Sequence, residues 1–286
     1  MKFLHISLAD NAGFCYGVKR AVDLALQAAT EEGPWHTLGP LVHNQGVISF
    51  LNAKGLVCCG EVTEIIDGGV VIRAHGVPPS VLGEIQNRGL KLVDGTCPTV
   101  KRIQELARKL VEEKYQLVVI GDREHPEVKG IVGWSGDNIP VVASLEDAQA
   151  LPFYPRMAVI CQTTKREMEY LQVLQELISH AQEVRSFNTI CSASSKRQES
   201  AAALAKEVDV MVVIGDQQSS NTRSLVKSCV NNNPLTYFIE TAAELKREWF
   251  ENCKSVGVTA GASTPDWHIK EVLNWMSELE INAAKD

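Results

Sequence analysis

The chain has 286 residues, enough to bury a sizeable core in one large domain or in two to three small ones. A net charge of −7 argues against a broad nucleic-acid surface, because such surfaces need clustered lysine and arginine. The first apolar run is too short for a signal peptide, and no run of about eighteen apolar residues predicts a membrane span. We therefore expect a cytoplasmic protein that contacts neither nucleic acid nor membrane.

Three weakly similar segments, called repeats one to three below, are each marked by a cysteine shortly before a Lys-Arg pair. A short apolar run before each cysteine predicts a strand, at residues 3–8, 90–93 and 184–187. A helix-period pattern follows each cysteine. Cys15, Cys97 and Cys191 are therefore predicted to lie between a strand and the start of a helix.

The similarity continues through the next two strands of each repeat. The second strand ends at a glycine placed 24 residues after the cysteine, at Gly39, Gly121 and Gly215. Four residues beyond each glycine stands a polar residue, which is His43, His125 or Ser219. A third strand leads again to polar residues, at His75, Thr163 and Ser263. Helix starts are predicted at Ser144 and at the capping box Thr241–Glu244.

Repeats one and two end with the strand that leads into the next cysteine, whereas repeat three lacks such a strand. We expect the N-terminal segment 2–8 to supply it and to close a ring. The predicted fold is α/β, with three parallel-sheet units in a pseudo-threefold, trefoil-like arrangement. At the centre of this arrangement we expect an iron-sulfur cluster, for the reasons given below. The units are expected at residues 14–96, 97–190 and 191–286, the third being completed by 1–13.

Three cysteines at matched positions indicate a metal centre, because neighbouring thiolates repel one another unless a metal neutralises them. Zinc sites favour closely spaced cysteine pairs, but these residues lie 82 and 94 positions apart. A [4Fe-4S] cluster normally takes four thiolates, so three would leave one iron open to substrate. Such an iron can act as a Lewis acid while the cluster supplies electrons, which suits reductive removal of an oxygen substituent.

The remaining cysteines and several histidines match no shared position of the repeats. Cys58, Cys59, Cys161, Cys229 and Cys253 are interpreted as packing residues, although Cys161 could also line the site. His5, His36 and His268 are interpreted as ordinary structural histidines.

The matched polar residues predict a small anion pocket. The histidines, with Ser219, Asn221 and Ser263, offer donors that suit a phosphate or diphosphate. Glu127 is the only carboxylate at the matched loop positions, and burial would raise its pKa far enough for it to donate a proton. Thr163 could hold the reacting hydroxyl or a water, although a threonine at a strand end is often structural.

Nearly end to end, the sequence closely resembles the 4-hydroxy-3-methylbut-2-enyl diphosphate reductase family of the non-mevalonate isoprenoid pathway. The resemblance rests on motifs around the residues above, such as Gly13-Phe-Cys15-Tyr-Gly, Thr96-Cys97-Pro98 and Val256-Gly-Val-Thr-Ala-Gly-Ala-Ser263. It implies reduction of the substrate to isopentenyl and dimethylallyl diphosphate, with electrons from ferredoxin or flavodoxin. It implies a [4Fe-4S] cluster on Cys15, Cys97 and Cys191, and Glu127 as proton donor.

The resemblance also implies which residues bind substrate, with Thr163 orienting the departing oxygen. They are His43, His75, His125, Thr163, Ser219, Ser220, Asn221 and Ser263.

Two other interpretations of the residues remain. In the first, the chain is a binding or redox-sensing module, with a structural metal or cluster and polar loops that capture a phosphorylated metabolite. In the second, it is a zinc hydrolase, which we rank last because three thiolates make zinc a poor Lewis acid.

Overall fold

In the computed structural model, which describes residues 4–136 and 138–283, the backbone forms three four-stranded sheets of parallel strands. The chain divides into two compact units. Unit 1 comprises Met1–Tyr16, His43–Val47 and Ser192–Asp286, and unit 2 comprises Gly17–Val42 and Ile48–Cys191. No described helix combines the length and hydropathy of a membrane-spanning segment.

Unit 1 contains the sheet of repeat three. In spatial order its strands are β1 (His5–Leu8), β12 (Ser255–Ala260), β10 (Val210–Ile214) and β11 (Thr236–Ile239). Its helices are α8 (Ser192–Glu207), α9 (Ser220–Val230) and α10 (Asp266–Ala283). Because β1 pairs in parallel with β12, the prediction that the N-terminal segment completes this sheet is confirmed, although residues 2 and 3 lie outside the described range.

Both faces of this sheet are covered, as is usual for parallel sheets. Alternate residues of β10 enter two different cores: Val210, Val212 and Ile214 pack in a cluster with residues of α10, whereas Met211 and Val213 pack with residues of α8 and α9. The continuous apolar run of β10 therefore reflects burial on both sides.

Unit 2 contains the sheets of repeats one and two. The first sheet has the order β3 (Leu56–Cys59), β2 (Trp35–Leu38), β4 (Gly69–Ile72), β5 (Lys91–Asp94), and the second has the order β7 (Val141–Val142), β6 (Gln116–Ile120), β8 (Tyr154–Cys161), β9 (Ala181–Ser186). The helices are α1 (Tyr16–Ala28), α2 (Gln45–Ala53), α3 (Pro79–Asn87), α4 (Pro98–Glu112), α5 (Pro126–Ser135), α6 (Leu145–Gln149) and α7 (Glu167–Ile178).

All three sheets share one strand order, which confirms three related α/β units. In each, the strand that ends before the matched glycine (β2, β6 or β10) and the third strand (β4, β8 or β12) are central. The other two strands form the edges. The fourth strands begin or end a few residues from their predicted limits, at Lys91–Asp94 and Ala181–Ser186. Each predicted domain contains one sheet, whereas the domain boundaries at 14–96, 97–190 and 191–286 with 1–13 remain a prediction.

The predicted helix caps and the predicted burial of the unmatched cysteines agree with the structure in part. Ser144 caps α6 as predicted, but the capping box at Thr241 starts only a short 3₁₀ helix, Ala242–Glu244. Four of the five cysteines interpreted as packing residues are buried; the interpretation was wrong for Cys58, which is exposed. Cys58 lies on the edge strand β3, where two central positions of the strand face outward.

Candidate active site

The three cysteines have the same backbone environment in the three repeats. Each lies directly before a helix, and each backbone N–H donates to the carbonyl of the residue two positions after the end of the third strand. The pairs are Cys15 with Ala262 at 3.3 Å, Cys97 with Ala74 at 3.0 Å and Cys191 with Thr163 at 3.0 Å. The sequence match of the three residues is thus also a match of local structure.

This environment suits thiolate ligands. The start of a helix carries partial positive charge, which favours the thiolate form of a cysteine. Cys15, Cys97 and Cys191 are each partly accessible, and none of the chain's eight cysteines, all of which are described, forms a disulfide. Each of the three positions, taken by itself, therefore suits a thiolate that binds iron.

Within residues 4–136 and 138–283, no group of three or more histidine, cysteine, aspartate or glutamate side chains is arranged to hold a single metal ion. An iron-sulfur cluster requires a different placement of its cysteine ligands from that required by a single metal ion. Each thiolate binds its own iron, so the sulfur atoms of a cluster site need not converge on one point as zinc ligands do.

In unit 2, Glu127 on α5 meets Thr163 after β8. The backbone N of Thr163 donates to Glu127 Oε1 at 2.7 Å, and its Oγ1 bonds Oε2 at 2.6 Å. Glu127 is only 2% exposed. Burial raises the pKa of the Glu127 carboxyl group above its ordinary value, and the two bonds from Thr163 oppose that rise. A carboxyl group with a raised pKa can hold a proton for transfer.

His75 and His125 lie side by side in the same unit. Their rings make an edge-to-face contact with centroids 5.2 Å apart. His125 caps α5, and its Nδ1 accepts a hydrogen bond from the backbone N of Glu127 at 3.2 Å. Because Nδ1 is an acceptor, a neutral His125 ring carries its proton on Nε2. Unit 2 thus places two imidazoles side by side at the start of the helix that carries Glu127.

The polar residues of repeat three gather around the start of α9 in unit 1. Ser219 caps this helix through a bond from Thr222 N to its Oγ at 3.3 Å, and Ser220 is its first residue. Asn221 is buried; its Oδ1 accepts from Ala262 N at 2.9 Å, and its Nδ2 lies 3.4 Å from Ser194 Oγ. Helix starts with exposed N–H groups suit anions.

Ser263 and His43 also belong to unit 1. Ser263 is buried, and its Oγ has no hydrogen-bond partner among the described residues. His43 is half-buried and precedes Asn44, whose Oδ1 accepts from Val47 N and so caps α2. A buried hydroxyl without a partner in the fold is a group with which a ligand can bond.

Two arginines at the cysteine turns were not recognised as site residues from the sequence. Arg20 donates from both terminal nitrogens to the carbonyls of Asp94 and Thr96, at 3.3 and 3.2 Å, just before Cys97. The buried Arg197 donates to the carbonyl of Gly13 at 2.8 Å. The Lys-Arg pair marked the repeats, but only the structure shows which carbonyls these guanidinium groups bind.

Cys161 and His268, which match no position in the other repeats, are both removed from solvent at least in part. Cys161 is fully buried, and burial raises the pKa of its thiol, so it belongs to the core. His268 is half-buried beside Gly46, where an added Cβ would lie 2.5 Å from its Nε2. Burial lowers the pKa of His268, and Glu271 opposes that shift. The repeat comparison gave no signal for His268 because no other repeat has a histidine there.

Comparison with known proteins decides the family. A family model described as LytB protein matches residues 6–277. The chain belongs to the LytB family. The expected resemblance is thereby confirmed across nearly the full length of the sequence.

Curated relatives of the chain are named 4-hydroxy-3-methylbut-2-enyl diphosphate reductase. The protein of that name from Geobacter sulfurreducens is 44% identical over 277 residues, covering 97% of this chain and 98% of the relative. The protein from Nitratiruptor sp. is 42% identical over 281 residues, covering 97% of this chain and 100% of the relative.

Solved structures of the family agree with the fold. A structure titled as (E)-4-hydroxy-3-methyl-but-2-enyl diphosphate reductase, the terminal enzyme of the non-mevalonate pathway, is 42% identical, with a TM-score of 0.73. It covers 96% of this chain and 100% of its own. The reductase structure from Plasmodium falciparum is 25% identical with a TM-score of 0.89, covering 95% and 87%.

Proposed function

We propose that this LytB-family chain is an oxidoreductase that reduces (E)-4-hydroxy-3-methylbut-2-enyl diphosphate to isopentenyl and dimethylallyl diphosphate. The activity is the one for which its relatives are named, at 42–44% identity over nearly the whole chain. In this reaction the C–O bond of the hydroxyl-bearing carbon breaks, two electrons and two protons are consumed, and water is released.

The hydrogen bonds of Thr163 support this proposal best. Thr163 bonds the buried Glu127 carboxyl group through its side chain and backbone N, while its carbonyl accepts from the backbone N of Cys191. One residue therefore connects a group suited to proton donation with a cysteine suited to cluster ligation. A reductive dehydroxylation needs both a proton source and an electron source at the reacting carbon.

We propose that Cys15, Cys97 and Cys191 hold a [4Fe-4S] cluster. Such a cluster, when bound, would supply electrons and one Lewis-acidic iron without a protein ligand. The equivalent helix-start positions and backbone bonds of the three residues support this assignment. Ferredoxin or flavodoxin is proposed as the electron donor and the cytoplasm as the location.

In the proposed mechanism Glu127 supplies the proton that leaves with the substrate oxygen. Burial keeps its carboxyl group protonated to higher pH than usual. The Thr163 hydroxyl can accept that proton while donating its own to the departing oxygen, because a hydroxyl is both donor and acceptor. The same hydroxyl would orient the oxygen beforehand.

The polar side chains would bind the diphosphate. The proposed set is His43, His75, His125, Ser219, Ser220, Asn221 and Ser263. Charge-assisted hydrogen bonds from imidazole, hydroxyl and amide groups to phosphate oxygens are among the stronger polar contacts in proteins. The helix start at Ser220 supports this role, and so does Ser263 Oγ, which has no hydrogen-bond partner in the described part of the chain.

Anaerobic purification and reconstitution test the proposal. We expect bound iron and sulfide, and conversion of the substrate to both products with a strong one-electron reductant such as reduced methyl viologen. A colourless protein without iron and sulfide would overturn the cluster. Ligand binding without turnover would instead support a binding module, and zinc without sulfide a zinc hydrolase.

A further inference from the structure

Gln104 is a polar residue in the buried stripe of α4. The buried positions of this helix are Val100, Ile103, Gln104, Ala107 and Leu110, four of them apolar. Gln104 is 5% exposed, so its amide group lies almost entirely inside the protein. A buried amide calls for an explanation, because removing it from water costs stability unless its hydrogen bonds are replaced.

The amide nitrogen of Gln104 lies against two glycines. A Cβ added at Gly76 would be 2.7 Å from Gln104 Nε2, and one added at Gly130 would be 2.9 Å from it. Neither position can therefore take a larger residue without displacing the amide. Gly76 directly follows His75 and has φ +72°, a conformation that favours glycine. Gly130 lies on α5, one turn after Glu127.

Packing alone does not require an amide at this place. Nε2 of Gln104 is buried without a hydrogen-bond partner in the part of the chain that the structure describes. In repeat one the position seven residues after the cysteine, equivalent to Gln104, is the buried Val22. An apolar side chain therefore suits this position in repeat one.

We infer that Gln104 is a positioning residue, whose amide group sets the spacing between the turn after His75 and the helix that His125 caps and that carries Glu127. The edge-to-face contact of the His75 and His125 rings, at 5.2 Å, is the geometry that this spacing maintains. The inference deepens the proposed function, since it rests on the substrate role proposed for His75.

The substitution Gln104→Met tests the inference because methionine is similar in length, unbranched and apolar. Volume-conserving changes of this kind are tolerated in cores, and the variant no longer buries an amide nitrogen that lacks a partner among the described residues. We expect its Tm to stay close to that of the wild type, because removing the unpartnered amide nitrogen offsets the strain of a wider terminal group. Its terminal methyl group is wider than an amide N–H₂, so it should push the two glycine-bearing segments apart.

Two measurements report on the placement of the His75 and His125 rings, which a change in stability alone would not alter. We expect the Kd for inorganic diphosphate, measured by calorimetry, and the KM of the reconstituted holoenzyme to rise about tenfold, with kcat changed less than about twofold. NMR spectra of the unliganded protein, with ¹³C-labelled histidine, should show shifted imidazole signals for His75 and His125. Leu110→Met, on the same buried stripe but away from both glycines, should lower Tm and leave these readouts unchanged.

The outcomes separate this inference from the proposed function. Unchanged imidazole signals and an unchanged diphosphate Kd in Gln104→Met would overturn the inference while the enzyme remains active. A wild-type protein that binds no diphosphate would overturn the proposed role of His75. In that case the imidazole signals of the unliganded variant still decide whether Gln104 positions the ring.

A double-mutant cycle gives a second test. Gly130→Ala places a methyl group against the Gln104 amide, so alone it should raise the Kd for diphosphate. In a Gln104→Ala background the space is vacant, and adding Gly130→Ala should change the Kd little. Additive effects of the two substitutions would contradict a direct contact between these residues as the source of positioning.

Discussion

Thr163 bonds both oxygens of the Glu127 carboxyl group, with its backbone N at 2.7 Å and its Oγ1 at 2.6 Å, although 36 residues separate the two in sequence. The pair is buried, and the two bonds fix the carboxyl group in one orientation. A proton donor held in this way can transfer its proton along a defined path, which is the basis of the first two predictions.

Glu127→Gln should retain the cluster and lose at least about 100-fold in kcat, because glutamine has no proton to donate at neutral pH. Iron and sulfide content and steady-state turnover measure the two effects. Glu124→Gln is the matched control, since Glu124 lies three residues before Glu127 but is exposed and paired with Lys129. Equal turnover in Glu127→Gln and the wild type would remove the proposed proton donor.

The raised pKa of Glu127 predicts a dependence of stability on pH. A carboxyl group with a folded pKa above its unfolded value contributes stability that is fully present below pH 4.5 and lost as the pH rises through the folded pKa. The free energy of unfolding of the wild type, relative to Glu127→Gln, should therefore fall with rising pH above 4.5. Urea unfolding across a pH series checks this, and a constant or rising difference would contradict it.

The titration of Glu127 also predicts that kcat declines over a defined range of rising pH. If protonated Glu127 is the donor, kcat should fall as the pH rises through its folded pKa, because the fraction of protonated carboxyl group decreases. Thr163→Val removes the side-chain bond that lowers this pKa, so the decline should move to higher pH. A decline at the same pH in the variant would show that another group titrates.

The substitutions Ser263→Ala and Ser219→Ala should differ in their effect on the free energy of unfolding. Ser263 Oγ has no hydrogen-bond partner within residues 4–136 and 138–283, so Ser263→Ala should change the free energy of unfolding by less than about 0.5 kcal/mol. Ser219→Ala removes a helix cap and should cost about 1 kcal/mol. Both should raise KM for the diphosphate substrate, and denaturant titration with steady-state kinetics separates the effects. A normal KM in Ser263→Ala would exclude it from substrate binding.

Alanine at Cys15, Cys97 or Cys191 should each abolish a stable cluster. We expect loss of bound iron and sulfide and of visible absorbance in anaerobically reconstituted protein. Cys58→Ala serves as the control, because Cys58 is exposed on the edge strand β3 and lies at no helix start. Full cluster content in any of the three variants would exclude that cysteine as a required ligand.

The sequence by itself determined the repeats, the parallel α/β units, the place of each cysteine before a helix and the N-terminal strand that completes the third sheet. These features depend on local signals: apolar runs mark strands, a period of 3.6 marks helices, and equal spacing marks equivalent positions. The limits of short strands and the exposure of Cys58 differed from the prediction, because neighbouring strands decide them.

Only the tertiary structure decided which distant groups meet. The Thr163 bonds to Glu127, the guanidinium bonds of Arg20 and Arg197 at the cysteine turns, and the position of Gln104 between two glycines all join residues far apart in the chain. Such contacts leave no periodic signal, because they depend on how whole helices and strand ends pack. Equivalence between repeats indicated where chemistry lies, and packing decided the partners that give each group its protonation and orientation.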